Sequence, residues 1–384
     1  MTVTQEPTSR PVRDQGRPPR TLITGGAGFI GTNLADRLLR AGHHVVVLDN
    51  LSRRGVAENV RWLADSHPRR LEVHEGDVRD RSALRRALVG VDRVFHFAAQ
   101  VAVTTSVAEP LHDFDVNLAG TVTLLEELRR LDQRPSLLFT STNKVYGGLD
   151  DIEVHKRGER HEPRDRSWRY HGVSERRPLQ FCSPYGCSKG GADQYVLDYA
   201  RSFGLAALVF RMSCIYGPHQ QGNEDQGWVA HFLMRAMAGE PITMYGDGCQ
   251  VRDILFVDDL LDAMELAMGG IDRFGGRAFN IGGGPTSTVS LLELVDTIAA
   301  LEGRRPPLRF GPWRVGDQRW YVSDTRAFAD ATGWAPKVAV DDGVARLHGW
   351  LDAARSSPAA GTAVGSHDPH GLPAAGGLSV AESI

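Results

Sequence analysis

The stretch Y-G-C-S-K sets a phenol, Tyr185, and an ammonium, Lys189, four residues apart at the start of a helical pattern, hence on one helix face. A phenol of ordinary pKa about 10 is a poor base at neutral pH, and a nearby ammonium favours its phenolate. Upstream, F-T-S-T-N-K-V-Y-G follows a strand pattern and offers the hydroxyl of Thr142 to hold a reacting alcohol beside Tyr185. Together these side chains suit removal of a hydroxyl proton coupled to oxidation of the carbon that bears it. The adjacent Asn143 is a candidate substrate contact. Lys144 reads equally as a substrate contact or as an outward-facing charge.

An acceptor for the electrons of such an oxidation is implied near the amino terminus. There T-G-G-A-G-F-I-G spaces Gly25, Gly28 and Gly31 as G-x-x-G-x-x-G between a strand pattern and an amphipathic helix. Gly25 permits the tight turn, Gly28 lets the backbone approach a pyrophosphate at the helix amino terminus, and Gly31 allows close helix packing. Phe29 and Ile30 lie in the same turn. Asp49 closes the next strand, about twenty residues on, where a carboxylate meets adenosine ribose hydroxyls and repels a ribose phosphate. The loop therefore predicts NAD rather than NADP, with an exposed turn residue as the plainer reading of Asp49. Asn50, Asp77, Val78, Ala98 and Ala99 follow the second, third and fourth strand patterns and are read as further cofactor contacts. A positively charged nicotinamide would share with Lys189 the roughly 4 kcal/mol needed to lower a phenol by about three pKa units.

The elements that must position these groups alternate along the chain. Apolar runs at Thr21 to Thr24, His44 to Asp49, Leu71 to His74, Arg93 to Phe97, Ser136 to Thr140 and Ala206 to Phe210 predict strands. Helical patterns between them include Gly28 to Ala41 and Leu111 to Leu131. Such alternation predicts an α/β fold with a doubly wound parallel sheet, whose ligand lies outside the strands' carboxyl ends. The expected division is a Rossmann domain over 20–210 and a smaller α/β carboxy-terminal substrate lobe over 211–353, with segments returning to the first core. Residues 148–180, charged and aperiodic, read as a lid-like insertion or a disordered excursion. Residues 1–19 and 354–384 read as disordered tails.

Across the 384 residues, a formal charge of −3 with 41 % hydrophobic content gives no support to a nucleic-acid or membrane-surface partner. No apolar run reaches the roughly 18 residues of a membrane span, and no secretory h-region opens the chain, so a cytoplasmic location is expected. The cysteines Cys182, Cys187, Cys214 and Cys249 form no C-x-x-C pair, so reduced thiols and no metal site are expected. Cys187 reads as structural, and His96 as packed or cofactor-adjacent rather than as a base.

These motifs in this order resemble the extended short-chain dehydrogenase/reductases, the superfamily of NAD-dependent nucleotide-sugar epimerases and dehydratases. The resemblance covers roughly Arg20 to Leu351. It implies Thr142, Tyr185 and Lys189 as the catalytic triad, Asn117 as a support of the active-site backbone or cofactor region, and Arg252 and Arg319 as a clamp on a substrate diphosphate. A surface ion pair with Asp253 or Asp317 is the plainer reading of the arginines. The stretches S-T-N-K-V-Y-G, S-P-Y-G-C-S-K-G, A-D-Q-Y-V-L-D-Y-A-R, D-Q-G-W-V, C-Q-V-R-D and D-Q-R are similar to the branch acting at carbon 2 of CDP-linked 3,6-dideoxyhexoses. The 4,6-dehydratases carry Asp-Glu after the catalytic Thr, whereas Asn143 and Lys144 stand here. A carbon-4 epimerase, another sugar-nucleotide oxidoreductase and a non-catalytic NAD sensor are the competing expectations. By resemblance the chain is also expected to form a homo-oligomer.

Overall fold

The structure, a computed structural model, describes residues 18–314 and 316–356. Seven parallel strands form the central sheet, in the spatial order Ala278–Ile281, Ala207–Met212, Ser136–Thr142, Arg93–His96, Arg20–Thr24, His44–Asp49 and Leu71–Glu75. Six of these are the expected strands. The seventh, Ala278–Ile281, is a segment that returns after the chain has left for the second lobe.

Helices cover both faces, so alternate residues of one strand serve different cores. Val45 and Val47 join Ile23, Phe95 and Leu138 on one side. Val46 and Leu48 join Leu22, Val94 and Leu137 on the other. The edge strand Leu71–Glu75 is mostly exposed and alternates in charged residues, which protects it from pairing with another chain. Strand order reverses between Arg20–Thr24 and Arg93–His96, and the crevice at their carboxyl ends is where such sheets bind ligands.

The helical pattern at 111–131 resolves into Pro110–Phe114, a π-helical turn at Asp115–Ala119, and Gly120–Arg129. In the second lobe, Val251–Phe256 pairs with Thr288–Ser290, Trp320–Tyr321 and Cys214–Tyr216. Helices Trp228–Ala238, Val257–Gly269 and Leu291–Glu302 pack around it, the last begun by a capping box between Ser290 and Glu293.

The insertion at 148–180 is ordered, which removes the disordered alternative. Val154–Arg157 and Arg160–Pro163 form an antiparallel hairpin, followed by the helix Arg166–His171. Leu149, Ile152 and Val173 share a small core with Val251, Trp320 and Tyr321 of the second lobe. The tails expected at 1–19 and 354–384 lie outside the described residues except at their inner ends. There residues 354–356 are not a tail, because the helix Val340–Ser356 runs through them.

Candidate active site

The glycine loop is built as its spacing demands. Gly25 has φ of +67°, and a Cβ on it would lie 2.6 Å from the Ala98 nitrogen. A Cβ on Gly31 would lie 2.6 Å from the Gly25 carbonyl oxygen and from the Gly26 Cα. The helix Phe29–Arg40 starts at Gly28 with no side-chain cap and no acidic residue in its first turn. Its amino end is thereby left to an anionic ligand such as a pyrophosphate.

Asp49 stands behind this loop. One carboxylate oxygen accepts from the Ala27 N–H at 3.1 Å and the other from the Leu51 N–H at 2.9 Å, while burial raises its pKa. Asn50 donates to Asp77 at 3.0 Å at the rim, and Arg79 holds the Asp77 carboxyl well down, at about 2. Val78 is buried in the core and Ala98 backs Gly25.

Asn117 sits within the π-turn, a feature common at functional sites. Its amide is engaged by protein groups: it donates to Gln100 O and Asp113 Oδ1, both at 3.0 Å, and to Ser188 Oγ at 3.2 Å, and accepts from the Gln100 N–H at 2.9 Å. It thus fixes the loop after the fourth strand from below rather than facing the cleft. His96 is fully buried, with Nδ1 2.6 Å from Thr24 Oγ1 and Nε2 3.0 Å from Thr121 Oγ1, and burial drives its pKa to about 3. It is a packed, neutral residue.

A cleft of about 300 Å³ runs along the sheet's carboxyl edge, and Gly25, Gly28, Phe29, Thr142, Tyr185 and Lys189 line it. Ile30, Gly31 and Ala99 also border it. Thr142 ends the central strand Ser136–Thr142, buried on all its residues. Tyr185 and Lys189 project from the first turns of the helix Ser183–Phe203. Just before them Ser183 adopts φ of +68°, an uncommon conformation for a residue other than glycine.

The electrostatics differ from the expectation of a phenolate prepared by Lys189. Burial pushes Tyr185 up to about 12, against the neighbouring Thr142 hydroxyl and the Arg53 guanidinium, which pull it down. Burial also lowers Lys189 to about 7, opposed by Asp193 and Asp113. The reason is geometric: the Lys189 ammonium lies over the Phe139 ring, 4.2 Å from its centroid. Helical spacing placed the two side chains on one face without fixing where the ammonium ends.

Sequence reasoning missed Arg53, which lines the cleft, faces both Asp49 and Tyr185 electrostatically, and reaches Gln226 from the opposite side. An arginine in a loop of an arginine-rich chain carries no local signal.

On the substrate-lobe side, Asn143 is buried, its amide 3.5 Å from Gln318 Oε1. Arg252 pairs with Asp317 at 2.6 Å, the partner the plainer reading allowed, but is buried rather than at the surface. Arg319 does not join it. It is exposed, 5.5 Å from the Trp313 ring, and borders a second cavity formed with residues 148–154. Arg314, not singled out in the sequence, lies 3.8 Å from the Tyr245 ring and pairs with Asp225. Among the described residues no group of three or more His, Cys, Asp or Glu side chains is placed to hold a metal ion, and no helix is long and apolar enough to cross a membrane.

An uncapped helix on a glycine turn, at the switch point of a parallel sheet and beside a Thr, Tyr and Lys, is the arrangement of a dinucleotide-dependent enzyme acting on an alcohol. The chain belongs to the NAD dependent epimerase/dehydratase family, whose model matches residues 21–282. It is 40% identical over 341 residues to CDP-paratose 2-epimerase of Salmonella typhi, spanning 86% of this chain and 98% of that protein. Its structure is similar to UDP-glucose 4-epimerase of Thermotoga maritima with UDP-glucose, at a TM-score of 0.75 and 30% identity, covering 88% of this chain and 99% of that one. It is also similar to a dTDP-glucose 4,6-dehydratase of Streptomyces venezuelae with NAD bound, at a TM-score of 0.75 and 31% identity, covering 88% and 98%. The protein is an NAD-dependent enzyme of the nucleotide-sugar epimerase class, and the glycine cradle fits that cofactor.

Proposed function

We propose that this epimerase inverts carbon 2 of a CDP-linked 3,6-dideoxyhexose, interconverting CDP-paratose and CDP-tyvelose or a close relative. The observation that carries the reading is the meeting of Thr142 and Tyr185 at the mouth of the glycine cradle, with Asn143 and Lys144 following Thr142. The turn at Gly25 and the backbone at Gly28 would hold the pyrophosphate of NAD, with Gly31 keeping the helix close, and Asp49 would hold its adenosine ribose. NAD would supply a reversible hydride acceptor and a positively charged ring.

Tyr185 accepts the hydroxyl proton in its phenolate form, which Arg53 and the Thr142 hydroxyl favour against burial, and later returns it. Thr142 donates a hydrogen bond to the ketone oxygen as it develops. Lys189, charged below a pH of about 7, adds positive potential to the site. The 2-keto sugar is planar at the reacting carbon, so inversion follows when the cleft presents its other face before reduction. A 4,6-dehydratase needs carboxylates to eliminate water, and the positions after Thr142 lack them. The choice of carbon 2 and of CDP is supported by the similarity to the Salmonella typhi enzyme.

Val107, Leu111 and Phe114 are exposed on consecutive helical turns, and Tyr195 is exposed on the helix Ser183–Phe203 that packs against them. This apolar face supports association of two copies. We place the enzyme in the cytoplasm, consistent with four unpaired cysteines.

The test is incubation of the NAD-loaded protein with a panel of nucleotide hexoses in ordinary and deuterated water, read by proton NMR. Inversion at carbon 2 without solvent deuterium there is expected. Deuterium at that carbon would point to carbanion chemistry and overturn the mechanism. Inversion at carbon 4 alone would leave the mechanism standing and overturn the substrate assignment.

A further inference from the structure

Lys144 is one of only four lysines in the chain, and the mechanism above leaves it without a role. Its backbone N–H donates to Thr142 Oγ1 at 3.3 Å, so its position is tied to the hydroxyl that would hold the reacting alcohol. Its side chain crosses to the second lobe, where Nζ lies 3.4 Å from the Gly316 carbonyl oxygen and 4.0 Å from Asp317 Oδ1. Arg252 already holds that same carboxylate oxygen at 2.6 Å.

Two cations therefore share one carboxylate in a partly buried place, leaving a positive charge in excess. Arg252 has the close contact, whereas among the described residues the ammonium of Lys144 has long ones. A partly desolvated cation so weakly partnered is a favourable place for an anion. Burial lowers the Lys144 pKa, Asp317 opposes that shift and Arg252 adds to it. Cys214, which feels both Arg252 and Lys144, lines the same cleft as Thr142 and Tyr185. The excess charge thus adjoins the catalytic cleft.

The anion of a nucleoside diphosphohexose nearest the sugar is the β-phosphate, carried on carbon 1. Carbon 2 is its immediate neighbour, while carbon 4 lies across the ring. Presenting carbon 2 to Tyr185 and Thr142 brings the β-phosphate up to the catalytic loop. Presenting carbon 4 turns it away. We propose that Lys144 is the substrate-positioning residue that selects carbon 2, by binding the β-phosphate jointly with Arg252 and so drawing the anomeric end of the hexose against the catalytic loop. This rests on the reading of the protein as a nucleotide-sugar epimerase.

The experiment compares nucleoside monophosphate with diphosphate. CMP and CDP, with UMP and UDP in parallel, are titrated calorimetrically into the NAD-loaded wild type, Lys144→Met and Lys144→Arg. Lys144→Met is expected to lose affinity for the diphosphate by about tenfold to a hundredfold, the worth of one charge-assisted hydrogen bond, with monophosphate binding unchanged. Lys144→Arg retains most of the diphosphate preference. With the nucleotide hexose, Lys144→Met raises KM and lowers kcat for inversion at carbon 2, because the sugar is no longer held in register. Equal loss for monophosphate and diphosphate would mark Lys144 as structural, and no loss for either would remove it from the site. Both results overturn the proposal. Binding of uridine but not cytidine nucleotides would overturn the choice of CDP, while the UDP to UMP ratio would still decide the role of Lys144.

Discussion

The ammonium of Lys189 lies 4.2 Å from the centroid of the Phe139 ring, on the strand that ends in Thr142. The electron-rich face of the ring offsets part of the solvation that the buried ammonium has lost. Without the ring, the lysine falls further below about 7, its present position. In Phe139→Leu the charged form is then confined to lower pH, so the neutral-pH rate falls below that of the wild type and the gap between the two closes as the medium is made more acid. Packing loss costs about 1–2 kcal/mol of stability besides. The pH dependence of kcat checks this, and an unmoved profile would separate the charge on Lys189 from catalysis.

Arg53 acts in the same sense on Tyr185 from the other side of the cleft. Its guanidinium pulls down a phenol that burial has pushed to about 12. In Arg53→Gln the phenol rises further, so kcat/KM at neutral pH falls and its rising limb moves toward alkaline pH. A profile that drops uniformly at every pH would assign Arg53 to cofactor holding alone.

Tyr185→Phe removes only the proton-accepting oxygen. Turnover is expected to fall by about 10²- to 10⁴-fold, the usual worth of a positioned acid or base. NAD affinity, followed by calorimetry, should change little. Full activity in this variant would remove the phenol from the mechanism.

Gly31→Ala inserts a methyl group 2.6 Å from backbone atoms of Gly25 and Gly26, which have no side chain to move aside. The loop and the helix must separate, and the pyrophosphate cradle opens with them. Loss of NAD binding with the far-ultraviolet circular dichroism preserved is the expected result. Normal NAD affinity would show that the cradle tolerates the separation.

His96 contributes to the acid sensitivity of the cofactor domain. Its pKa falls from an ordinary 6.5 to about 3 on burial. The unfolded chain therefore takes up a proton that the native protein refuses between those values, so this contribution is whole above about 6.5 and is lost as pH falls toward 3. His96→Gln is less stable at neutral pH, yet its denaturation midpoint falls less steeply across that window. A parallel loss in both proteins would place the sensitivity elsewhere.

The sequence revealed the parts of this site whose function depends on local spacing. Gly25, Gly28 and Gly31 must recur at fixed intervals, and Asp49 must end a strand, so both could be read directly. The strand Ala278–Ile281 was not, because its place in the sheet is set by pairing with residues about seventy positions earlier. The hairpin at 154–163 showed no periodicity because neighbours from the second lobe hold it, as when the His161 N–H donates to the Cys249 carbonyl at 2.8 Å. Arg252 and Arg319 illustrate the same limit. Their motifs were visible, but only the fold shows that one turns inward onto Asp317 and the other outward onto Trp313.

The late return of Ala278–Ile281 also governs how the protein can be made. A ribosome releasing the chain in order exposes Ala207–Met212, apolar and hydrogen-bonded on one side only, until the last strand has emerged. During that interval the nascent sheet has an open, sticky flank, and any fragment cut after the first lobe keeps it permanently. The two lobes are therefore a single product of synthesis, and a shortened version ending near residue 212 should aggregate rather than survive as a free cofactor-binding module.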